Sequence, residues 1–190
     1  MKILVNGDSF TAGEESPIAW PSLIPGTTNI ATPGASNDHI VTSTIDYIFD
    51  THLGPHLPDC VIVAWTSPNR IDISGKHLTP SSGAKYGHSV VDAVFKDWDE
   101  KWAQKKFLYQ TRLLGLFLES YGIPYVYVST FDIQPWAAGT LDNWLGWPKE
   151  GIVEWMGDCP KGPGGHPLEL GHQRIAEKIN EHIRNLGWLS

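Results

Sequence analysis

Three short apolar runs separated by helical patterns constrain the fold more than any other feature of the chain. The runs are rich in β-branched residues and lack polar alternation, which is typical of parallel strands covered on both faces. They lie at 2–5, Cys60–Trp65 and 125–128, and a weaker run lies at 28–31. Apolar residues recur at helical spacing over 36–49, 91–121 and 168–186. This alternation predicts an α/β sandwich around a parallel sheet, and the length of 190 residues predicts a single domain, 1–190.

Two segments carry neither the strand nor the helix pattern. Residues 72–88 are rich in Ser, Gly, Lys and His, and residues 131–165 are rich in Pro and Trp. We expect both to be loops. The second is long for a connection without secondary structure, and such loops usually serve a function.

Composition and charge exclude several classes of protein. A formal charge of −7 and a pI near 5.5 disfavour nucleic acid or an anionic membrane as a partner. Cys60 and Cys159 have no metal-site spacing, and Cys60 is expected to be a buried free thiol. No signal-peptide pattern and no membrane-length apolar run occur, so we expect a cytoplasmic protein, unless it is carried as part of a particle. The oligomeric state stays open.

Ser9 is the first candidate for a reactive group. It lies in Gly-Asp-Ser directly after the first predicted strand, at the carboxyl edge of the sheet, where α/β folds bind ligands. The alternative is an ordinary turn in which Ser9 caps a helix.

A serine nucleophile needs a base, which is normally a histidine oriented by a third group. Of the eight histidines, His166 is the best candidate, because Gly-Gly-His-Pro immediately precedes the last predicted helix. We expect most of the other seven to be exposed to solvent.

Acyl chemistry also needs donors for an oxyanion. Three candidates follow predicted strands and should therefore meet at one edge: the N–H of Ser9, the N–H of Gly34 and the side-chain amide of Asn69. For Gly34 and Asn69, simple turn chemistry is the competing explanation.

These residues occur in the order of the four sequence blocks of the SGNH (GDSL-like) hydrolases, which the chain resembles over almost its whole length. The matching residues are Gly7-Asp8-Ser9, Gly34, Asn69 and His166. The resemblance implies a three-layer α/β/α sandwich with a parallel, flavodoxin-like sheet, and ester hydrolysis through an acyl-serine. It also implies Ser9 as nucleophile, His166 as base, and an oxyanion hole formed by Ser9, Gly34 and Asn69.

Two departures from the family pattern concern the third block and the triad acid. The third block usually reads Gly-X-Asn-Asp, but here Arg70 follows Asn69. The family's acid lies three residues before the histidine, where this chain has Pro163. Asp158 is the nearest alternative acid, whereas a Ser–His dyad supported by a backbone carbonyl near Pro163 is the arrangement we slightly favour.

Three functions compete. The leading one is an esterase for a small acyl group, plausibly an acetyl on a carbohydrate, because tryptophans in the long loop could bind sugar rings. The tryptophans proposed to bind substrate are Trp136, Trp144 and Trp147, and the alternative is that they only pack that loop against the sheet. The second function is a lipid-type acyl hydrolase, and the third is a catalytically silent binding or structural module. We expect no cofactor and no metal, since no glycine-rich phosphate loop occurs and Asp38-His39 has no evident third ligand.

Overall fold

A five-stranded, all-parallel sheet forms the centre of the computed structural model, which describes residues 1–51, 57–131 and 143–188. The spatial order of its strands is β2-β1-β3-β6-β7. Their bounds are β1 Ile3–Asn6, β2 Thr27–Asn29, β3 Cys60–Trp65, β6 Tyr125–Ser129 and β7 Trp144–Leu145. The predicted parallel sheet is therefore confirmed. Its order is of the flavodoxin type, because β6 and β7 are the fourth and fifth strands of this sheet along the chain.

Helices cover both faces of this sheet and complete a three-layer sandwich. They are α1 Ser9–Ala12, α2 Asn37–Thr51, α3 Gly83–Tyr86, α4 His88–Phe95, α5 Glu100–Ser120, α6 Ile152–Met156 and α7 Glu169–Asn185. One apolar cluster joins alternate strand residues such as Ile3 and Val5 to Ile175 and Ile179 of α7. The other joins the intervening residues, such as Leu4, to α2 and α5. Because successive side chains of a strand point to opposite faces, continuous apolar strands supply both clusters.

The helix predicted over 91–121 is wrong as a single element. It is divided into α4 and α5, because Asp99 starts a new helix: its carboxylate accepts a hydrogen bond from the Lys101 N–H at 2.9 Å. Trp102 and Leu113 contribute to the periodic apolar pattern of 91–121, but both are exposed.

The segment at 72–88 is also more regular than expected. An antiparallel hairpin, β4 Ile71–Ile73 and β5 Lys76–Leu78, is followed by α3 and the start of α4. Hairpins this short have too little sequence pattern to be distinguished from loops.

Two further expectations concern cysteine and membranes. Cys60 is a buried free thiol, as predicted, and its burial raises the pKa of that thiol to about 12. Among the described residues, no helix has both the length and the apolar character needed to span a bilayer.

Candidate active site

Ser9 begins α1 directly beyond the carboxyl end of β1. Asp8 caps this helical turn, because its Oδ1 accepts the Phe10 N–H at 3.1 Å. The side chain of Ser9 is nearly buried, with 3% of the residue exposed. Its hydroxyl is thus held at the edge of the sheet by a capped turn.

The carboxylate of Asp8 connects the first and third sequence blocks. Its Oδ2 accepts a hydrogen bond from the Thr66 hydroxyl at 2.7 Å and another from the Arg70 guanidinium at 3.3 Å. Burial raises the pKa of Asp8, while the positive charge of Arg70 acts in the opposite direction. Arg70 also donates to the Ala35 carbonyl at 3.3 Å, next to Gly34. The arginine that departs from the family pattern therefore ties three loops together beneath Ser9.

His166 approaches Ser9 from the loop before α7. Its Nε2 lies 2.9 Å from the Ser9 Oγ, within hydrogen-bond distance, although 157 residues separate the two in sequence. The Phe10 ring packs beside the imidazole, with centroids 5.2 Å apart. This geometry fits a base acting on the serine hydroxyl.

The other nitrogen of His166 faces Glu15. The Nδ1–Oε2 distance is 2.8 Å, and the Gly164 N–H donates to the same carboxylate at 2.8 Å from Oε1. These hydrogen bonds, with His166 contributing most, lower the pKa of Glu15. The carboxylate therefore stays charged and keeps the proton of His166 on Nδ1, which leaves Nε2 free to accept from Ser9.

Glu15 reaches His166 through an unusual backbone conformation. Its φ is +67°, in the left-handed region that L-residues rarely adopt. Gly164 must also lack a side chain, because a Cβ there would lie 3.0 Å from both the Glu15 Oε2 and the His166 Nδ1. The glycines before His166 thus give the carboxylate room to approach.

Asp158 does not reach His166. Its side chain is 95% exposed and lies 3.3 Å from the guanidinium of Arg174 on α7. We had favoured a Ser–His dyad in which a backbone carbonyl orients the histidine. The structure differs, because the carboxylate of Glu15 lies beside the Nδ1 of His166.

The expected oxyanion donors follow three different strands. Gly34 has φ +76°, and a Cβ built there would meet nothing within 4 Å. Asn69 has its Oδ1 engaged by the Trp98 indole N–H at 2.9 Å. That hydrogen bond assigns the acceptor end of the amide and leaves the Nδ2 hydrogens to donate. Trp98 lies in the break between α4 and α5.

Comparison with known proteins identifies the architecture. No protein-family model and no curated protein matches the sequence. Among solved structures, the psychrotrophic esterase EstA from Pseudoalteromonas sp., inhibited by monoethylphosphonate, is similar over 97% of each chain with a TM-score of 0.58. The chain has the GDSL-esterase fold. The identity to EstA is only 12%.

A second solved structure has the same GDSL-esterase fold. It is a member of the lipolytic protein G-D-S-L family from Veillonella parvula, with a TM-score of 0.50 and 12% identity, over 95% of this chain and 97% of that one. These likenesses extend over nearly the whole of this chain.

The tryptophans proposed to bind substrate occupy different environments. Trp144 is 9% exposed and packs in the apolar cluster with Tyr127 and Phe107, so the structure does not support a substrate contact there. Trp147 is half-buried against Trp144 and also lines a cavity of about 290 Å³. Trp136 lies outside the described residues.

Glu15 is the residue that sequence reasoning missed. We looked for a carboxylate near His166 in the sequence, whereas Glu15 follows Ser9 by six positions and meets the histidine only through the tertiary fold. One sequence feature could have indicated a carboxylate near Ser9: Glu14-Glu15 comes directly after Gly13, which ends α1 in a left-handed conformation. Glu14 also lies near the imidazole, with its Oε2 3.5 Å from Nε2.

The expectation that most of the other seven histidines are exposed is wrong. Among the described ones His88 is exposed, whereas those at 39, 77 and 182 are partly buried and the one at 172 is buried. His172 is fully buried, and its Nδ1 accepts the Trp20 N–H at 3.1 Å. Burial lowers the pKa of His172 to about 4, from an ordinary value near 6.5. Its role is to hold the turn at Trp20 against α7.

This buried imidazole predicts a dependence of stability on pH. In the unfolded chain His172 takes up a proton near pH 6.5, whereas in the folded chain it does so only near pH 4. The contribution of the neutral imidazole to the free energy of unfolding is therefore complete above pH 6.5. It is lost, by about 3 kcal/mol, as the pH falls towards 4. In chemical denaturation at pH 7.5 and 4.5, the loss of unfolding free energy should be about 2–3 kcal/mol larger in wild type than in His172→Asn. Equal pH dependence in the two proteins would contradict the assignment.

Proposed function

We propose that the protein is a serine hydrolase that cleaves carboxylic esters through an acyl-Ser9 intermediate. The observation that carries this proposal is the continuous chain of contacts from the Ser9 Oγ to the His166 Nε2, at 2.9 Å, and from the His166 Nδ1 to Glu15, at 2.8 Å. Such a nucleophile–base–acid arrangement is recognised by geometry rather than by sequence order.

The first half of the reaction forms the acyl-enzyme. The Ser9 Oγ attacks the ester carbonyl carbon while its proton passes to the His166 Nε2. The carbonyl oxygen becomes an oxyanion, and His166 then gives the proton to the leaving alkoxide as the C–O bond breaks. Throughout, Glu15 stays ionised and stabilises the imidazolium.

The second half regenerates the enzyme. A water molecule attacks the acyl carbon as its proton moves to His166, and the same proton returns to the Ser9 Oγ when the acid leaves. In both halves the N–H groups of Ser9 and Gly34 and the Asn69 amide are proposed to stabilise the oxyanion. Trp98 would act on this step by orienting the amide of Asn69.

Labelling with a fluorophosphonate probe, together with turnover of p-nitrophenyl acetate, tests the proposal. An ester hydrolase should do both. A catalytically silent module, the alternative from another class, should do neither, and that result would end the proposal.

For the substrate, we propose an O-acetyl group on a carbohydrate. Support comes from the cavity near the site, whose lining combines Phe131 and Trp147 with Lys149, Glu150 and Glu154. Aromatic faces together with a few charged groups suit a sugar ring. The ring centroid of Phe131, at the wall of this cavity, lies 5.3 Å from that of Phe10, which in turn packs on His166. Only the Phe10 ring thus separates Phe131 from the proposed base.

Replacing Trp147 tests this substrate class. Trp147→Leu should lower kcat/KM for an acetylated oligosaccharide about five-fold, as expected for the loss of about 1 kcal/mol of aromatic contact. Its activity on p-nitrophenyl acetate should stay within about two-fold, because a methyl-sized acyl group does not need that contact. Trp188→Leu, at a half-buried tryptophan beyond the end of α7, is the matched control.

The competing lipid-type activity predicts a different pattern. In that case the wild type would prefer p-nitrophenyl esters of long acyl chains to the acetate. A preference for long chains would overturn the carbohydrate proposal while leaving ester hydrolysis intact.

A further inference from the structure

We propose that His39, Asp72 and His77 form a binding site for a divalent transition metal ion, with Zn²⁺ as the best match to the ligands. Each residue offers one ligand atom, and these atoms all lie within 4.8 Å of one another. The three residues come from α2, β4 and β5, so the site exists only in the folded chain. This inference does not depend on the proposed hydrolase function.

The spacing is close to that of a metal site. Two ligand atoms bound at about 2.0–2.1 Å in tetrahedral geometry lie about 3.3 Å apart. Movements of about 1 Å would therefore bring all three atoms onto one ion. The imidazole rings of His39 and His77 are already in contact in an edge-to-face arrangement, with centroids 4.8 Å apart and planes inclined by 62°.

His77 lies directly beside the carboxylate of Asp72. Its buried Nδ1 is 3.1 Å from the Asp72 Oδ2. This separation is close to that of two ligand atoms on one tetrahedral ion. The pair therefore already has the spacing that a shared metal ion requires.

The neighbouring groups leave the right atoms free. The Asp72 Oδ1 accepts the Gly75 N–H at 2.9 Å, so Oδ2 is the oxygen available to a metal. Asp38, adjacent to His39, is bound to Lys106 at 2.5 Å and to Gln110 at 2.9 Å. The third ligand that was not evident for Asp38-His39 in the sequence is thus supplied by the hairpin, and Asp38 is not a ligand.

A metal here would fasten the β4–β5 hairpin to α2. His39 also links this site to the loop of Gly34, because its Nε2 lies 3.2 Å from the Thr32 hydroxyl. The Thr32 N–H donates to the Gly7 carbonyl at 3.2 Å, beside the Ser9 turn. The ion would therefore stabilise a structural connection next to the candidate active site.

Metal titration of the full chain tests this site. After removal of metals with a chelator, Co²⁺ should bind with one equivalent per chain and give the visible absorption of a four-coordinate complex, and Zn²⁺ should displace it. His77→Gln and Asp72→Asn should each weaken binding by more than about 100-fold, because losing a ligand costs more than losing a residue behind it. His88→Gln, at an exposed histidine on α4, is the matched control and should bind like wild type.

Thermal unfolding provides a second measurement that does not use absorption. Saturating Zn²⁺ should raise the Tm of wild type and of His88→Gln, but not that of His77→Gln or Asp72→Asn. The proposal would be overturned if wild type binds no Co²⁺, or if both ligand variants retain wild-type affinity. Circular dichroism of each variant shows that it is folded before titration.

Discussion

Ser9→Ala is expected to abolish both ester turnover and fluorophosphonate labelling, with a loss in kcat of about 10⁵–10⁶. The reason is that the acyl-enzyme cannot form without the Oγ, which is the atom 2.9 Å from the His166 Nε2. Turnover of p-nitrophenyl acetate and mass spectrometry of the labelled protein measure the two effects.

The fold should tolerate this change. Alanine removes one oxygen from a nearly buried position and leaves the capping hydrogen bond from the Phe10 N–H to Asp8 in place. The Tm of Ser9→Ala should therefore stay close to that of wild type. Ser81→Ala, at an exposed serine, is the matched control, and wild-type turnover in Ser9→Ala would refute the assignment of the nucleophile.

His166→Ala should cause a loss of similar size, because residues of a triad act as a unit and their losses do not add. A double variant, Ser9→Ala with His166→Ala, should consequently be little worse than either single variant. Additive losses would mean that the two side chains do not act on the same step.

The central sheet could be predicted because its strands carry a strong local signal. In Cys60–Trp65 every residue is buried, and a continuous apolar run records that directly in the sequence. The break at Asp99 could not be predicted with the same ease, because apolar residues continue at helical spacing across it. There the local capping of α5 decides the structure.

The candidate site was predictable only in part, for a related reason. Ser9, Gly34 and Asn69 each follow a strand, so topology alone predicts that they lie along the same edge of the sheet. Glu15 and His166 are 151 residues apart in the sequence. Their contact depends on the positive φ of Glu15 and on the close approach of its carboxylate to Gly164, and neither feature has a sequence pattern. The long-range contact therefore had to come from the tertiary structure.

Arg70 shows how a departure from a family pattern can keep the site intact. Its guanidinium donates hydrogen bonds to Asp8 and to the Ala35 carbonyl. The arginine that stands where the family has an aspartate thus connects the third sequence block to the first and the second. The positive charge of Arg70 lowers the pKa of Asp8 and so acts against the burial that raises it. The altered block is thus no argument, on its own, for a silent module.

Glu15→Gln is expected to lower kcat by about 10³–10⁴, as in the triad template when the acid becomes an amide. In this variant the Gly164 N–H still requires an acceptor, so the amide oxygen should turn to it and the NH₂ should face the His166 Nδ1. The imidazole would then carry its proton on Nε2 and could not accept one from Ser9. KM for p-nitrophenyl acetate should change little, because Glu15 does not contact the substrate.

Two matched variants make this test specific. Glu14→Gln removes the same charge from the adjacent residue, whose carboxylate is 3.5 Å from Nε2 but not on the Nδ1 side, and should stay within about ten-fold of wild type. Asp158→Asn, which only loses an exposed pairing with Arg174, should stay within about two-fold. If Asp158→Asn instead caused the large defect and Glu15→Gln did not, the acid would be Asp158, and the loop 159–165 would have to fold back in the active enzyme. Steady-state kinetics of the three variants, with fluorophosphonate labelling rates as a second readout, distinguish these outcomes, because a slower Ser9 reacts more slowly with both reagents.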